Sequence, residues 1–165
     1  MDIASDQGFE TIRRPIHLNS PETSGNDLLR FEIEHIQEEN ICQLFVTLPF
    51  IEATTIDKCI STIKTESVDS LLPVYEVYDR FWFSDVVEDI TPVNHDPSIL
   101  VGTQYMKPLY REAGFYVFKR SAFIREQKRV TTNFKHLIFD ERQFIDIDTE
   151  LDFFYAESLA RWGQK

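Results

Sequence analysis

The run Ile41-Cys42-Gln43-Leu44-Phe45-Val46-Thr47, closed by Pro49, constrains the fold most. Its apolar residues fall on successive positions, so a strand built from them is buried on both faces. Such a strand needs a covering layer on each side. Downstream, Thr54 or Thr55 caps a helix in which Ile56, Cys59, Ile60 and Ile63 form one stripe. Upstream, Asn26-Asp27 opens a helix that carries Leu29, Ile33 and Ile36 at i, i+4 and i+7.

The same alternation continues along the chain. Strands are predicted over 9–12, 71–77, 81–87, 114–118, 136–140 and 144–148, with a loop over 16–25 and an excursion without readable period over 89–108. A final helix runs from Thr149, with Asp152 as the N3 member of a capping box, to a stop at Gly163. Its expected buried side is Leu151, Phe154 or Tyr155, Leu159 and Trp162. Alternating strands and amphipathic helices imply an α/β layered sheet, largely parallel, in a single domain over 1–165. In such sheets ligands bind beyond the carboxyl ends of the strands.

Charge and composition narrow the function. A formal net charge of −11 argues against nucleic acid or an anionic membrane surface as the main partner. Between Lys107 and Lys135, however, Lys107, Arg111, Lys119, Arg120, Arg125, Lys128, Arg129 and Lys135 are opposed only by Glu112 and Glu126. A locally basic segment in an acidic chain suits a small anion such as a triphosphate or a sugar acid, although 125–129 reads as a solvated loop. Cys42 and Cys59 fall in apolar patterns and read as core residues. His17, His35, His95 and His136 are too scattered for a metal cluster or a triad. No signal peptide and no apolar run near the ~18 residues of a membrane span is present, so the expected location is the cytoplasm.

The carboxylates that stand out are in Phe144-Ile145-Asp146-Ile147-Asp148-Thr149. In an extended segment Ile145 and Ile147 leave one face while Asp146 and Asp148 leave the other. Two carboxylates placed directly before a helix offer hard oxygen ligands to Mg²⁺. The same spacing also serves an edge strand with a solvated face.

Several segments together resemble the acylneuraminate cytidylyltransferase family, the CMP-sialic acid synthetases and their relatives. Ile145 to Asp152 with Ala156-Glu157 is similar to that family's last strand and helix, and Gly114-Phe115-Tyr116-Val117-Phe118 to its preceding strand. Arg14-Pro15 with Leu18 resembles its Arg-Pro turn, and Leu44 to Phe50 takes the place of its Gln-Pro-Thr-Ser-Pro strand end. The resemblance implies a Rossmann-like nucleotide-diphospho-sugar transferase sheet. It also implies transfer of CMP from CTP to the anomeric hydroxyl of a nonulosonic or related sugar acid, with release of pyrophosphate. By resemblance, Asp146 and Asp148 hold Mg²⁺ and Arg111, with Lys107, faces the sugar carboxylate or phosphate. Arg14 then lies near the cytosine and ribose, and Thr47 near the sugar.

The chain departs from the family in three places. Its glycines, Gly8, Gly25, Gly102, Gly114 and Gly163, are too far apart to form the Gly-rich loop that cradles the triphosphate. Phe45-Val46-Thr47-Leu48-Pro49-Phe50-Ile51 lacks the polar and basic residues of the family's strand end, and Ala113-Gly114 replaces its Asn-Gly. The expectation is therefore an N-terminally truncated cytidylyltransferase fold whose own activity is open. The alternative is a non-catalytic dimerisation or interaction module. A homodimer built around 71–109 is expected for the chain in either case. A glycosyltransferase with an Asp-x-Asp metal site fits less well, because that motif usually precedes more chain than follows here.

Overall fold

A computed structural model describes residues 2–86 and 89–163. After a short helix α1 (Asp2–Asp6) and a 3-10 turn (Ile16–Asn19), helix α2 (Gly25–His35) leads into strand β1 (Asn40–Gln43). Helix α3 (Ala53–Thr65) and strand β2 (Ser70–Val77) follow, then strands β3 (Trp82–Val86) and β4 (Asp89–Pro92). Strands β5 (Leu109–Glu112) and β6 (Tyr116–Lys119) precede helix α4 (Arg120–Glu126) and strand β7 (Phe134–Ile138). A 3-10 turn (Glu141–Phe144) and helix α5 (Glu150–Trp162) complete the order.

The main sheet has β2 at its centre. One side of β2 pairs antiparallel with β6 at Ser70–Leu71 and with β5 at Val74–Val77; the other side pairs parallel with β7. Strand β1 pairs antiparallel with the far side of β6. Strands β1, β2 and β7 therefore run in one direction, and β5–β6 runs against them. The sheet is α/β, as the alternation implies, but mixed rather than largely parallel. Only the β2–β7 ladder joins parallel neighbours among the described residues.

Two apolar layers hold the sheet. On one face Cys59 and Ile63 of α3 pack with Leu71, Tyr75, Phe115, Val117 and Phe144. On the other, Leu29 and Ile33 of α2 and Phe123 of α4 pack with Ile41 and Phe118. Phe115, Phe118 and Phe123 are fully enclosed, each worth roughly 2–3 kcal/mol by area. Cys59 is enclosed as expected, and its burial raises the thiol pKa to about 12.

Several expected elements shift. Residues 9–12 are irregular rather than a strand. The strand expected over 41–47 stops at Gln43, because its partner β6 begins at Tyr116, opposite that residue. Leu44, Phe45 and Val46 are left exposed. The strand expected over 81–87 spans Trp82–Val86, with Val87 outside the described residues, and it pairs with β4 in a separate hairpin. The strand expected over 136–140 begins earlier, at Phe134, in register with Ser70.

The segment 144–148 joins no ladder. Residues 141–144 coil into the 3-10 turn, and 145–148 run on without regular structure. The alternation survives, with Ile145 and Ile147 half-buried and Asp146 and Asp148 exposed. Helix α5 has the expected capping box, Thr149 with Asp152, and its Gly163 stop. Of its expected buried side only Leu159 is half-buried, in line with Asp152 and Ala156, while Leu151, Phe154, Tyr155 and Trp162 are exposed.

Candidate active site

The carboxyl ends of β1 and β7 release the two segments that frame the site. The Ile147 N–H donates to the Thr47 carbonyl at 3.0 Å, which ties the aspartate segment to the turn after β1. Below it, Phe144 is buried and stacks at 5.9 Å on Tyr75 and at 6.0 Å on Phe115. Tyr75 stands directly opposite Arg111 in the β2–β5 ladder, so both side chains leave the same face. The Arg111 guanidinium lies 5.9 Å from the Tyr75 ring centre. Burial pushes the Tyr75 phenol up, while the Arg111 charge opposes that shift.

The side chains above this floor form a cleft of about 360 Å³. Arg111, Glu141, Arg142, Asp146, Asp148 and Asp152 line it, with Tyr75 and Tyr155 among its walls. The Asp152 carboxylate is committed to the helix cap. It accepts from the Thr149 N–H at 2.8 Å, the Thr149 hydroxyl at 2.7 Å and the Asp148 N–H at 3.2 Å. That set leaves Asp146 and Asp148 as the exposed pair, with the Asp148 backbone held by the cap.

Of the residues expected from sequence, Arg111, Asp146 and Asp148 thus share one cleft. Thr47 backs it through its main chain only. Lys107 is exposed and is not among the lining residues, and neither is Arg14. Arg14 lies instead near Glu32 of α2, where its charge offsets the upward effect of burial on that carboxyl. The sequence reading missed Arg142, Glu141 and Tyr75. The run Asp140-Glu141-Arg142 before the aspartates was the available signal for the first two.

The donor set bears on Mg²⁺. Among the described residues, no group of three or more His, Cys, Asp or Glu side chains is placed to hold a metal by itself. Two exposed carboxylates suit Mg²⁺ all the same, since that ion commonly takes one or two protein carboxylates and completes its shell with water and phosphate oxygens. The pair fits such a partial site and does not fit a closed structural one.

No protein-family model matches the sequence, and no curated protein does. The structure is similar to the crystal structure of 4-diphosphocytidyl-2C-methyl-D-erythritol synthase from Anaerococcus prevotii. The TM-score is 0.63 at 13% identity, over 97% of this chain and 76% of that one. The chain has the nucleotide-diphospho-sugar transferase fold. In that fold the cleft described above lies where sheets of this kind bind ligands, at the carboxyl ends of the strands that run in one direction. Among the described residues, no helix is long and apolar enough to cross a membrane.

Proposed function

We propose that the chain is a cytidylyltransferase acting on a sugar acid: CMP passes from CTP to the anomeric hydroxyl of a nonulosonic (sialic-type) or related acid. The observation that carries this reading is the meeting of Arg111, Asp146 and Asp148 in one cleft of a nucleotide-diphospho-sugar transferase fold. In the reaction the acceptor hydroxyl gives up its proton to solvent, its oxygen forms a bond to the α-phosphorus, the bond to the β-phosphate oxygen breaks, and pyrophosphate leaves. Bound Mg²⁺ supplies charge neutralisation at the phosphates as negative charge moves onto the leaving group.

The residues of the chain hold and orient. Asp146 and Asp148 are the metal ligands, presented by an extended segment whose backbone is fixed at Thr47 and at the α5 cap. Arg111 offers a planar fork to the acceptor carboxylate, backed by the Tyr75 ring. The reaction consumes CTP, so in this reading the protein works in a CTP-containing compartment such as the cytoplasm. A second reading, a non-catalytic dimerisation module, is favoured by the exposed aromatic hairpin β3–β4.

A thermal melt of wild type, Asp148→Asn and Glu157→Gln, with and without Mg²⁺ or Mn²⁺ and then with CTP, tests the proposal. Saturating metal at ~100 times its Kd stabilises a native-state binder by about 2.7 kcal/mol. Wild type and Glu157→Gln should gain stability on adding metal. Glu157 is paired with Arg161 at 2.9 Å and lies outside the cleft. Asp148→Asn should lose most of the gain. An identical melt for all three with and without metal would overturn the metal assignment and the transferase reading with it.

A further inference from the structure

Arg142 has no role in the reading above, yet the structure places it in the same cleft as Arg111 and the two aspartates. It is held there from three sides. Phe144, two residues on, is buried in the aromatic core. Gln143 fastens the turn to the start of α3, where its side-chain oxygen accepts from the Thr55 hydroxyl at 2.7 Å and from the Glu52 N–H at 3.2 Å. Asp140 accepts from the Arg142 backbone N–H at 3.0 Å, which starts the 3-10 turn, and its carboxylate also accepts from Nε at 3.0 Å and from Nη2.

A guanidinium carries five N–H donors. Asp140 engages Nε and Nη2, and Nη1 has no partner among the described residues. Arg142 is thus a pinned cation with free donors, on a turn whose fixation is independent of any ligand. The cleft otherwise carries four carboxylates, Glu141, Asp146, Asp148 and Asp152, against Arg111 alone. Even with Mg²⁺ offsetting Asp146 and Asp148, Glu141 and Asp152 outnumber Arg111, so an anionic substrate entering there needs a further N–H donor to receive it.

We infer that Arg142 is a second oxyanion-binding residue of the cleft, acting beside Arg111 on a substrate that carries two separate anionic groups. The inference deepens the transferase reading and rests on it, since that reaction brings a carboxylate and a phosphate chain into one site. The shared chemistry is an oxyanion received by a guanidinium fork. Its source is either the nucleotide phosphates or the acceptor carboxylate.

The test is calorimetric titration of wild type, Arg142→Gln, Arg142→Lys and the control Arg161→Gln. The probes are Mn²⁺ alone, inorganic pyrophosphate in the presence of Mn²⁺, and N-acetylneuraminate. Loss of a charge-assisted hydrogen bond weakens binding roughly 10- to 100-fold, so Arg142→Gln should weaken one probe by that factor. Arg142→Lys should fall between, because it keeps the charge and loses the fork. Weakening of pyrophosphate alone assigns Arg142 to the nucleotide, and weakening of N-acetylneuraminate alone assigns it to the acceptor.

Wild-type affinity for both probes in Arg142→Gln overturns the inference, as does equal weakening by Arg161→Gln or no binding of either probe by wild type. The Mn²⁺ titration judges the transferase reading separately. It should survive in Arg142→Gln and disappear in Asp148→Asn. An Arg142-dependent anion without any Mn²⁺ binding would leave the inference standing and remove the metal assignment.

Discussion

Gly114 has φ +79°, in the left-handed region that side-chain-bearing residues rarely adopt. It sits where β5 gives way to β6, between the buried residues Ala113 and Phe115, and lets the strand bulge while Ala113 N–H still reaches the Pro73 carbonyl at 2.9 Å. A Cβ added there would meet Leu48 Cδ1 at 3.1 Å. Leu48 belongs to the turn after β1 that carries Thr47, so strain at Gly114 is passed towards the cleft. Gly114→Ala should cost about 1–3 kcal/mol in urea unfolding. An unchanged midpoint would mean that the bulge relaxes freely and that φ at this position is not a constraint.

At the level of elements, the two turns at opposite ends of β7 are held by carboxylates with lowered pKa values. Hydrogen bonds from the Arg142 side chain, then from its backbone N–H, pull Asp140 from 3.8 to about 2. After α4, the Thr132 N–H and then the Arg125 side chain bring Glu126 from 4.5 to about 2. Each folded-state value lies below the unfolded one, so each contribution is complete above the unfolded pKa and is lost as pH falls through the folded pKa. Stability should therefore decline between about pH 4.5 and pH 2. Asp140 is exposed and Glu126 partly so, and solvent screening should keep the decline modest. Melting temperatures recorded against pH for wild type and for the double variant Asp140→Asn/Glu126→Gln check this. A variant that tracks wild type throughout that window would remove these two carboxylates as its cause.

On the scale of the whole molecule, the β3–β4 hairpin stands apart from the main sheet. Its described residues are exposed, among them Trp82, Phe83, Val86 and Ile90. Its base is ordered all the same. Asn94 accepts from the Phe81 N–H at 3.0 Å and donates to the Asp79 carbonyl at 2.9 Å, while His95 lies edge-on to Trp82 at 5.0 Å. An ordered base under an apolar tip suits contact with a second copy, and a specific dimer of standard size buries ~1,200–2,000 Å² in total. Sedimentation equilibrium should give a dimer at micromolar concentration, and Phe83→Asp with Val86→Asp should give a folded monomer whose melting temperature no longer depends on protein concentration. A wild-type monomer at that concentration would refute the dimer.

Much of the layered fold can be read from sequence because it rests on local periodicity. The apolar stripes over Leu29–Ile33 and Cys59–Ile63, the run beginning at Leu71 and the Thr149–Asp152 cap all depend on residues within a turn or two of each other. The alternation of Ile145, Asp146, Ile147 and Asp148 likewise survives in the structure without any strand partner, since extended backbone alone sends successive side chains to opposite sides. Which strands are neighbours, and in which direction they run, is not local. The β5–β6 strand enters against β1, β2 and β7, and that pairing ends β1 at Gln43 and leaves Leu44 to Val46 exposed. The site was divided in the same way. Asp146 and Asp148 lie two residues apart in the chain and are visible as a pair, whereas Arg111 reaches them through the ladder with Tyr75, and Arg142 through a turn anchored by Phe144 and Gln143. Arg14 and Lys107 carry the same charge but lie outside the cleft lining, because ladder register and core packing decide which cations a cleft receives, and residue type alone does not.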